Sequence, residues 1–250
     1  MKKLIAVVVA TAFLYGVMVG TDQVFPYYQL RYAKRLILDQ GAAFRGDVWL
    51  AEFCAKHKIK QAFFSQLASK GNSENIFLGD SVIELLRSEN FFSIAYSKMA
   101  SNGNIVECMD LIGDEILALN PKNIIIYLGG NDADGGGRQT VEEVALSYRN
   151  FVVRLREHGT NVVIHSINRG MPRRRDQDFV IELNLKLKQI ASDTNSYFIE
   201  PYDLLDFSSE GDTFDELTYD GEHLKALAYY NWLQYISENL PDEMPPLFRN

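Results

Sequence analysis

Cysteine is scarce in this 250-residue chain, with only Cys54 and Cys108 present. Two cysteines cannot form the disulfide framework of a small secreted domain, and neither lies in a Cys-x-x-Cys or metal-ligand spacing. They are expected to be buried, inert thiols that leave the redox compartment open. Positive charge is also short, with 25 Lys and Arg against 33 Asp and Glu and a formal net charge of -8. A phosphate backbone selects proteins that gather Lys and Arg on one face. The chain has no such stripe, so nucleic acid is excluded as a partner. Its four histidines and its acidic residues form no metal-ligand cluster, and neither a metal nor another cofactor is expected. Internal repeats and low-complexity segments are absent as well.

Long apolar runs are missing with one exception. Met1-Lys2-Lys3 leads into Leu4 to Gly20, 17 residues in which only Thr11 and Tyr15 are mildly polar. That length exceeds a usual signal-peptide core and just reaches the minimum for a spanning helix. Its exit, Met18 to Gly20, is a poor cleavage site. Residues 1–21 are therefore expected to meet a membrane, as an uncleaved signal-anchor or alternatively as a cleaved signal peptide. With Lys2 and Lys3 held on the cytoplasmic side, the remainder would lie in a periplasm or outside, or be secreted if cleaved.

Proline is absent between Tyr27 and Lys70, where apolar residues recur at helical spacing: Leu36, Ile37, Leu50, Phe53, Phe63, Phe64 and Leu67. Residues 22–72 are expected as a helical extension, broken near Gly41 and Gly46. Beyond Gly71, short β-rich runs (Asn75 to Leu78, Phe91 to Ala95, Asn123 to Leu128, Asn161 to Ile167, Tyr197 to Ile199) alternate with amphipathic stretches (Val82 to Arg87, Ile105 to Leu119, Val141 to His158, Phe179 to Thr194, Glu222 to Asn239). Strand and helix in alternation predict a parallel sheet covered on both faces, over residues 73–240, with 241–250 as a tail. Such sheets place their sites beyond the carboxyl ends of the strands.

Three blocks fall at such ends. Ile76-Phe77-Leu78-Gly79-Asp80-Ser81 runs a strand into a glycine turn and sets a serine at a helix start, where backbone N–H groups favour developing negative charge. Ser81-x-x-Glu84 is by itself equally a capping box. Leu128-Gly129-Gly130-Asn131-Asp132 offers a side-chain amide to an oxyanion, or is ordinary turn chemistry. Tyr219-Asp220-Gly221-Glu222-His223, read as opening the last helix, sets a carboxylate three residues before a histidine, so that one ring nitrogen is bonded and the other faces outward as a base. Of the other histidines, His57 lies on a charged helical face, His158 ends a helix, and His165 sits inside a strand as a core residue. Nucleophile, amide donor and acid-base pair together make an acyl-transfer site.

Gly79-Asp80-Ser81, Gly129-x-Asn131-Asp132 and Asp220-x-x-His223 resemble, in order, the blocks of the SGNH (GDSL) hydrolase family. The resemblance covers about Asn75 to Asn239. It implies a three-layer, flavodoxin-like α/β fold and cleavage of esters, often acetyl or longer acyl groups on sugars and lipids. It also implies Ser81 as nucleophile, His223 and Asp220 as base and orienting acid, and Asn131 as an oxyanion donor. The family's remaining block, a glycine after the second strand, matches Gly103 in Ser101-Asn102-Gly103-Asn104, which departs from the usual wording. Gly103 can still supply a backbone N–H with no side chain in the way. Asp80 is read as a turn residue behind the nucleophile.

The expected oxyanion hole is thus Ser81, Gly103 and Asn131, and the expected partner is an acyl ester of a cell-surface carbohydrate or lipid. Transfer of the acyl group to a sugar hydroxyl, or a non-catalytic membrane-tethered domain keeping only the fold, are the alternatives. Loops at 133–138, 168–176 and 206–219 are expected around the site. Arg169, Arg173, Arg174 and Arg175 form a basic stretch that faces either solvent or an anionic substrate.

Overall fold

The computed structural model describes residue 54 and residues 74–86, 96–100, 105–134, 139–169, 175–201, 217–220, 222–245 and 247. The expected membrane segment and all of the helical extension but Cys54 lie outside them. Among the described residues no helix is long and apolar enough to cross a membrane.

Five short strands form the sheet: β1 (Asn75–Gly79), β2 (Ser97–Ala100), β3 (Asn123–Tyr127), β4 (Asn161–His165) and β5 (Tyr197–Ile199). The helices between and after them are α1 (Ser81–Leu85), α2 (Val106–Ala118), α3 (Gly130–Ala133), α4 (Val141–Glu157), α5 (Gln177–Asp193) and α6 (Ala226–Glu238). All pairings are parallel and the strand order is β2-β1-β3-β4-β5, the flavodoxin-like order. A parallel sheet needs apolar residues on both faces of its central strands, and β3, Asn-Ile-Ile-Ile-Tyr, is buried at every position.

Alternation along the strands sorts the core into two layers. Ile76, Leu78, Ile124, Ile126, Val162 and Ile164 face α2, α4 and α5, packing on Met109, Ile116, Tyr148, Phe151, Leu155, Leu183 and Leu187. Phe77, Ile125, Tyr127 and Val163 face α1 and α6, packing on Val82, Ile83, Trp232, Leu233 and Ile236. The expected three-layer architecture is therefore present. At its centre Trp232 donates from Nε1 to His165 Nε2 at 2.7 Å, which leaves the His165 proton on Nδ1 to bond the Ser166 carbonyl. Burial pushes the His165 pKa down to about 4, so this histidine is a neutral core residue, as its place in a strand implied.

Two readings of the sequence need correction. The strand expected at Phe91–Ala95 lies outside the described residues, and the strand paired with β1 is Ser97–Ala100. Ser-Lys-Met-Ala lacks β-branched and aromatic residues, and as an edge strand it is exposed at Ser97, so nothing in its pattern marked it. The cysteines are buried but not thiols: Cys54 and Cys108 form a disulfide with Cα atoms 5.5 Å apart. Each lacks a sequence motif because its partner lies 54 residues away, a pairing only the folded chain makes.

Cross-linking over that separation restricts the unfolded chain, which in the chain-entropy account stabilises by about 4 kcal/mol. The Cys54→Ser/Cys108→Ser double variant should lose stability of that order in denaturant unfolding. Under denaturing, non-reducing conditions the unsubstituted chain should take up no thiol alkylating reagent. Two adducts without reductant would disprove the bridge.

Candidate functional site

β1 and β3 are adjacent, and the connections after them leave toward opposite layers, α1 on one face and α4 on the other. This is the switch point at which a crevice opens beyond the carboxyl ends of a doubly wound sheet. β1 delivers Ser81 there and β3 delivers Asn131, through registered neighbours Gly79 and Tyr127.

Gly79 has a steric reason to be glycine. A Cβ on it would lie 2.3 Å from Ile83 Cγ1 and 2.9 Å from the Tyr127 carbonyl oxygen. Asp80, not Ser81, caps α1, its Oδ1 accepting from the Val82 N–H at 2.9 Å. The capping box that Ser81-x-x-Glu84 suggested is thus replaced by Asp80, and the Ser81 hydroxyl is left for another partner. Ser81 itself is the first residue of α1, so its N–H has no intrahelical acceptor.

That partner is His223, whose Nε2 lies 2.9 Å from Ser81 Oγ. On the other side of the ring, Nδ1 lies 2.8 Å from Asp220 Oδ2. The second carboxylate oxygen, Oδ1, accepts from the backbone N–H groups of His223 at 2.9 Å and Glu222 at 3.1 Å. Asp220 therefore both shapes its loop and orients the ring, an Asx-type turn. The pair does not open the last helix as expected. It sits at the tip of a short antiparallel bridge, Thr218 with Leu224, closed by Tyr219 N–H to the His223 carbonyl at 2.9 Å, and α6 starts only at Ala226. Bonds to its own loop amides commit Asp220 to a turn.

Burial works to raise the Asp220 carboxyl, but the hydrogen bonds from the His223 ring and amide and the attraction of the imidazole outweigh it, leaving the group well below the ordinary carboxylate range. The bond to Asp220 in turn lifts the His223 pKa above its ordinary value, against partial burial. Behind the serine, burial pushes the Asp80 carboxyl up to about 6, against the pull of the Val82 N–H and Arg175.

The Gly129-Gly130-Asn131-Asp132 block is a helical turn, α3, rather than an open loop. Gly129 holds φ at 123°, and a Cβ there would meet Ile167 Cδ1 at 2.4 Å, so glycine is required twice over. Asn131 follows at the carboxyl end of β3. The next residue has a role the sequence did not show: buried Asp132 accepts from the Val106 N–H at 3.2 and 3.3 Å, capping α2, which has no side-chain cap of its own. Burial pushes the Asp132 carboxyl up to about 7, against that N–H. Gly103 lies outside the described residues.

The arginine stretch also resolves at one position. Arg175 is buried, its guanidinium bonded to Asp134 and Asn168. Four neighbouring arginines offered no signal that one of them turns inward. Arg173 and Arg174 lie outside the described residues. Among those described, no group of three or more His, Cys, Asp or Glu is placed to hold a metal ion.

A serine, histidine and carboxylate thus form one hydrogen-bonded chain at the carboxyl edge of a doubly wound parallel sheet. The GDSL-like lipase/acylhydrolase family model matches residues 77–230, and the chain belongs to that family. A search of curated proteins finds no match. Among solved structures, the chain is similar to a GDSL-like lipase from Bacteroides thetaiotaomicron at 17% identity, covering 71% of this chain and 95% of that one, with a TM-score of 0.61. It is also similar to a catalytic mutant of an acetylxylan esterase from Geobacillus stearothermophilus (15% identity, 72% and 98% covered, TM-score 0.56) and to the lipase/acylhydrolase from Enterococcus faecalis (18%, 69% and 98%, 0.54). At these identities the likeness shows the shared fold.

Asp132 gives a test of the electrostatics. A carboxyl whose pKa rises on folding, here from 3.8 to about 7, stabilises most below its unfolded value and loses that stabilisation as pH rises through the folded one. Asparagine keeps an acceptor for Val106 but cannot titrate. The stability of the unsubstituted chain minus that of Asp132→Asn should fall steadily from pH 4 to pH 7 and stay level above. A difference that does not change with pH would rule the titration out.

Proposed function

We propose that the chain is a serine ester hydrolase acting on a short acyl ester, acetyl foremost, of a cell-surface carbohydrate or lipid. The observation that carries this reading is the unbroken hydrogen-bonded chain from Asp220 through His223 to Ser81. Ser81 Oγ attacks the acyl carbon while His223 Nε2 takes its proton, and Asp220 stabilises the imidazolium that results. The proton then passes from His223 to the departing alcohol oxygen. Water attacks the acyl-Ser81 ester with His223 again as base, releasing the acid and restoring Ser81.

The oxyanion is held by the Ser81 N–H, the Asn131 amide and the Gly103 N–H, donors whose worth lies in being fixed before charge develops. An acetyl group is favoured because the structural neighbours include acetylxylan esterases. The disulfide supports a location outside the cytosol, in keeping with an N-terminal segment that tethers the chain to a membrane.

Ser81→Ala should abolish labelling by a fluorophosphonate and lower kcat on p-nitrophenyl acetate by about 10⁶-fold. Retained labelling would sink the assignment. Because His223 must be neutral to act, kcat/KM should rise with pH through its raised pKa. Asp220→Asn should cost about 10⁴-fold in kcat and move the midpoint to lower pH. Release of free acetate from acetylated glycans, without an added sugar acceptor, separates hydrolysis from acyl transfer.

A further inference from the structure

We propose that Arg175 is the positioning residue that fixes the oxyanion side of the site against the acid-base side. The inference rests on the serine hydrolase reading above. Arg175 precedes the N-cap of α5, and only 6% of its side chain is exposed. Its guanidinium makes four hydrogen bonds to two residues and an ion pair to a third. Nε donates to Asp134 Oδ1 at 2.9 Å and Nη2 to Asp134 Oδ2 at 3.4 Å, a fork on the residue that ends the Asn131 turn. Nη1 donates to the Asn168 carbonyl at 3.0 Å and to its Oδ1 at 2.7 Å, on the connection leaving β4. Nη2 also lies 3.8 Å from Glu222 Oε1, the residue immediately before His223.

The guanidinium in addition rests on the backbone beside Asn131, since a Cβ on Gly130 would come within 2.9 Å of Nη2. One buried planar cation thus touches the turn that carries the amide donor and the loop that carries the base. A flexible ammonium cannot reproduce a fork of this kind together with two further contacts.

Charge gives the arrangement a second consequence. The groups facing His223 are Asp220 and Glu222 of its own loop and Asp80 of the β1–α1 turn, all acidic. Among the described residues Arg175 acts on this set, drawing Asp80 down and pairing with Glu222. Without it the negative charge around the imidazole is greater and the ring holds its proton to higher pH.

The test compares Arg175→Lys, Arg175→Met and Glu222→Gln in the full chain. Turnover of p-nitrophenyl acetate is normalised to active sites counted with a fluorophosphonate. The His223 ring is titrated by NMR on histidine-labelled protein, its signal assigned with His223→Gln. Lysine keeps the charge and loses the fork, so kcat should fall about 10- to 100-fold with KM little changed, and the His223 titration should stay in place. Methionine should move that titration up, and Glu222→Gln should move it down.

Wild-type kcat in Arg175→Lys overturns the positioning role. A His223 titration unmoved in Arg175→Met and Glu222→Gln overturns the electrostatic one. If the methionine variant does not fold, the lysine and glutamine variants decide. Absence of Ser81-dependent turnover in the unsubstituted chain would defeat the hydrolase reading instead, and the NMR titration would still decide whether Arg175 sets the charge around His223.

Discussion

The contact between Ser81 Oγ and His223 Nε2 joins residues 142 positions apart, and most of the fold serves to close it. Two side chains cannot hold such a distance unless the backbones behind them are fixed, because each would otherwise lose rotamer freedom for one modest bond. The fixing is visible. Tyr229, in the first turn of α6, donates its hydroxyl to the Val82 carbonyl of α1 at 2.7 Å, tying the helix that follows His223 to the helix that begins at Ser81. Below that, Trp232 lies against Phe77 of β1 and Tyr127 of β3 and bonds His165 of β4, so α6 is seated on three strands at once. Substrate chemistry at the edge thus draws on rigidity in the core, as near-attack geometry requires.

The same edge carries an excess of acid: Asp80, Asp132, Asp134, Asp220 and Glu222. Three physical devices handle them. Asp80 and Asp132 are buried, and burial outweighs the N–H groups they accept from, pushing their pKa values up to about 6 and 7. Asp134 and Glu222 are paired with Arg175. Asp220 alone is driven strongly toward the ionised form, because its two oxygens collect two backbone N–H groups and the imidazole. Similar side chains at one edge are separated by environment into buried caps that ionise late, a paired structural set and one permanent anion. Of the five, Asp220 acts most strongly on His223, with Glu222 and Asp80 adding to it.

What the sequence made legible was local and periodic. Strand runs such as Asn-Ile-Ile-Ile-Tyr, the glycine turn before Ser81 and the three-residue spacing of Asp220 and His223 are properties of neighbouring residues, and each stands where the alternation of strand and helix placed it. The members that escaped depend on chain segments far apart. Cys54 meets Cys108, Asp132 caps a helix that begins at Val106, and Arg175 turns inward where Arg173 and Arg174 share its composition. One local error, reading Asp220-x-x-His223 as a helix start, arose because an Asx turn and an N-cap use the same residue type for the same purpose. Both satisfy loop or helix N–H groups with a carboxylate, and spacing does not separate them.

The beginning of α2 shows why such distant fastenings matter to the site. Val106 is held by Asp132, the residue next to Asn131, and Cys108, two positions further on, is held by the disulfide. The first fastening is electrostatic and weakens or strengthens with the protonation of a carboxyl that titrates near neutrality. The second is covalent and indifferent to pH. The helix start is thus secured by both kinds of fastening, one of them on the residue next to Asn131.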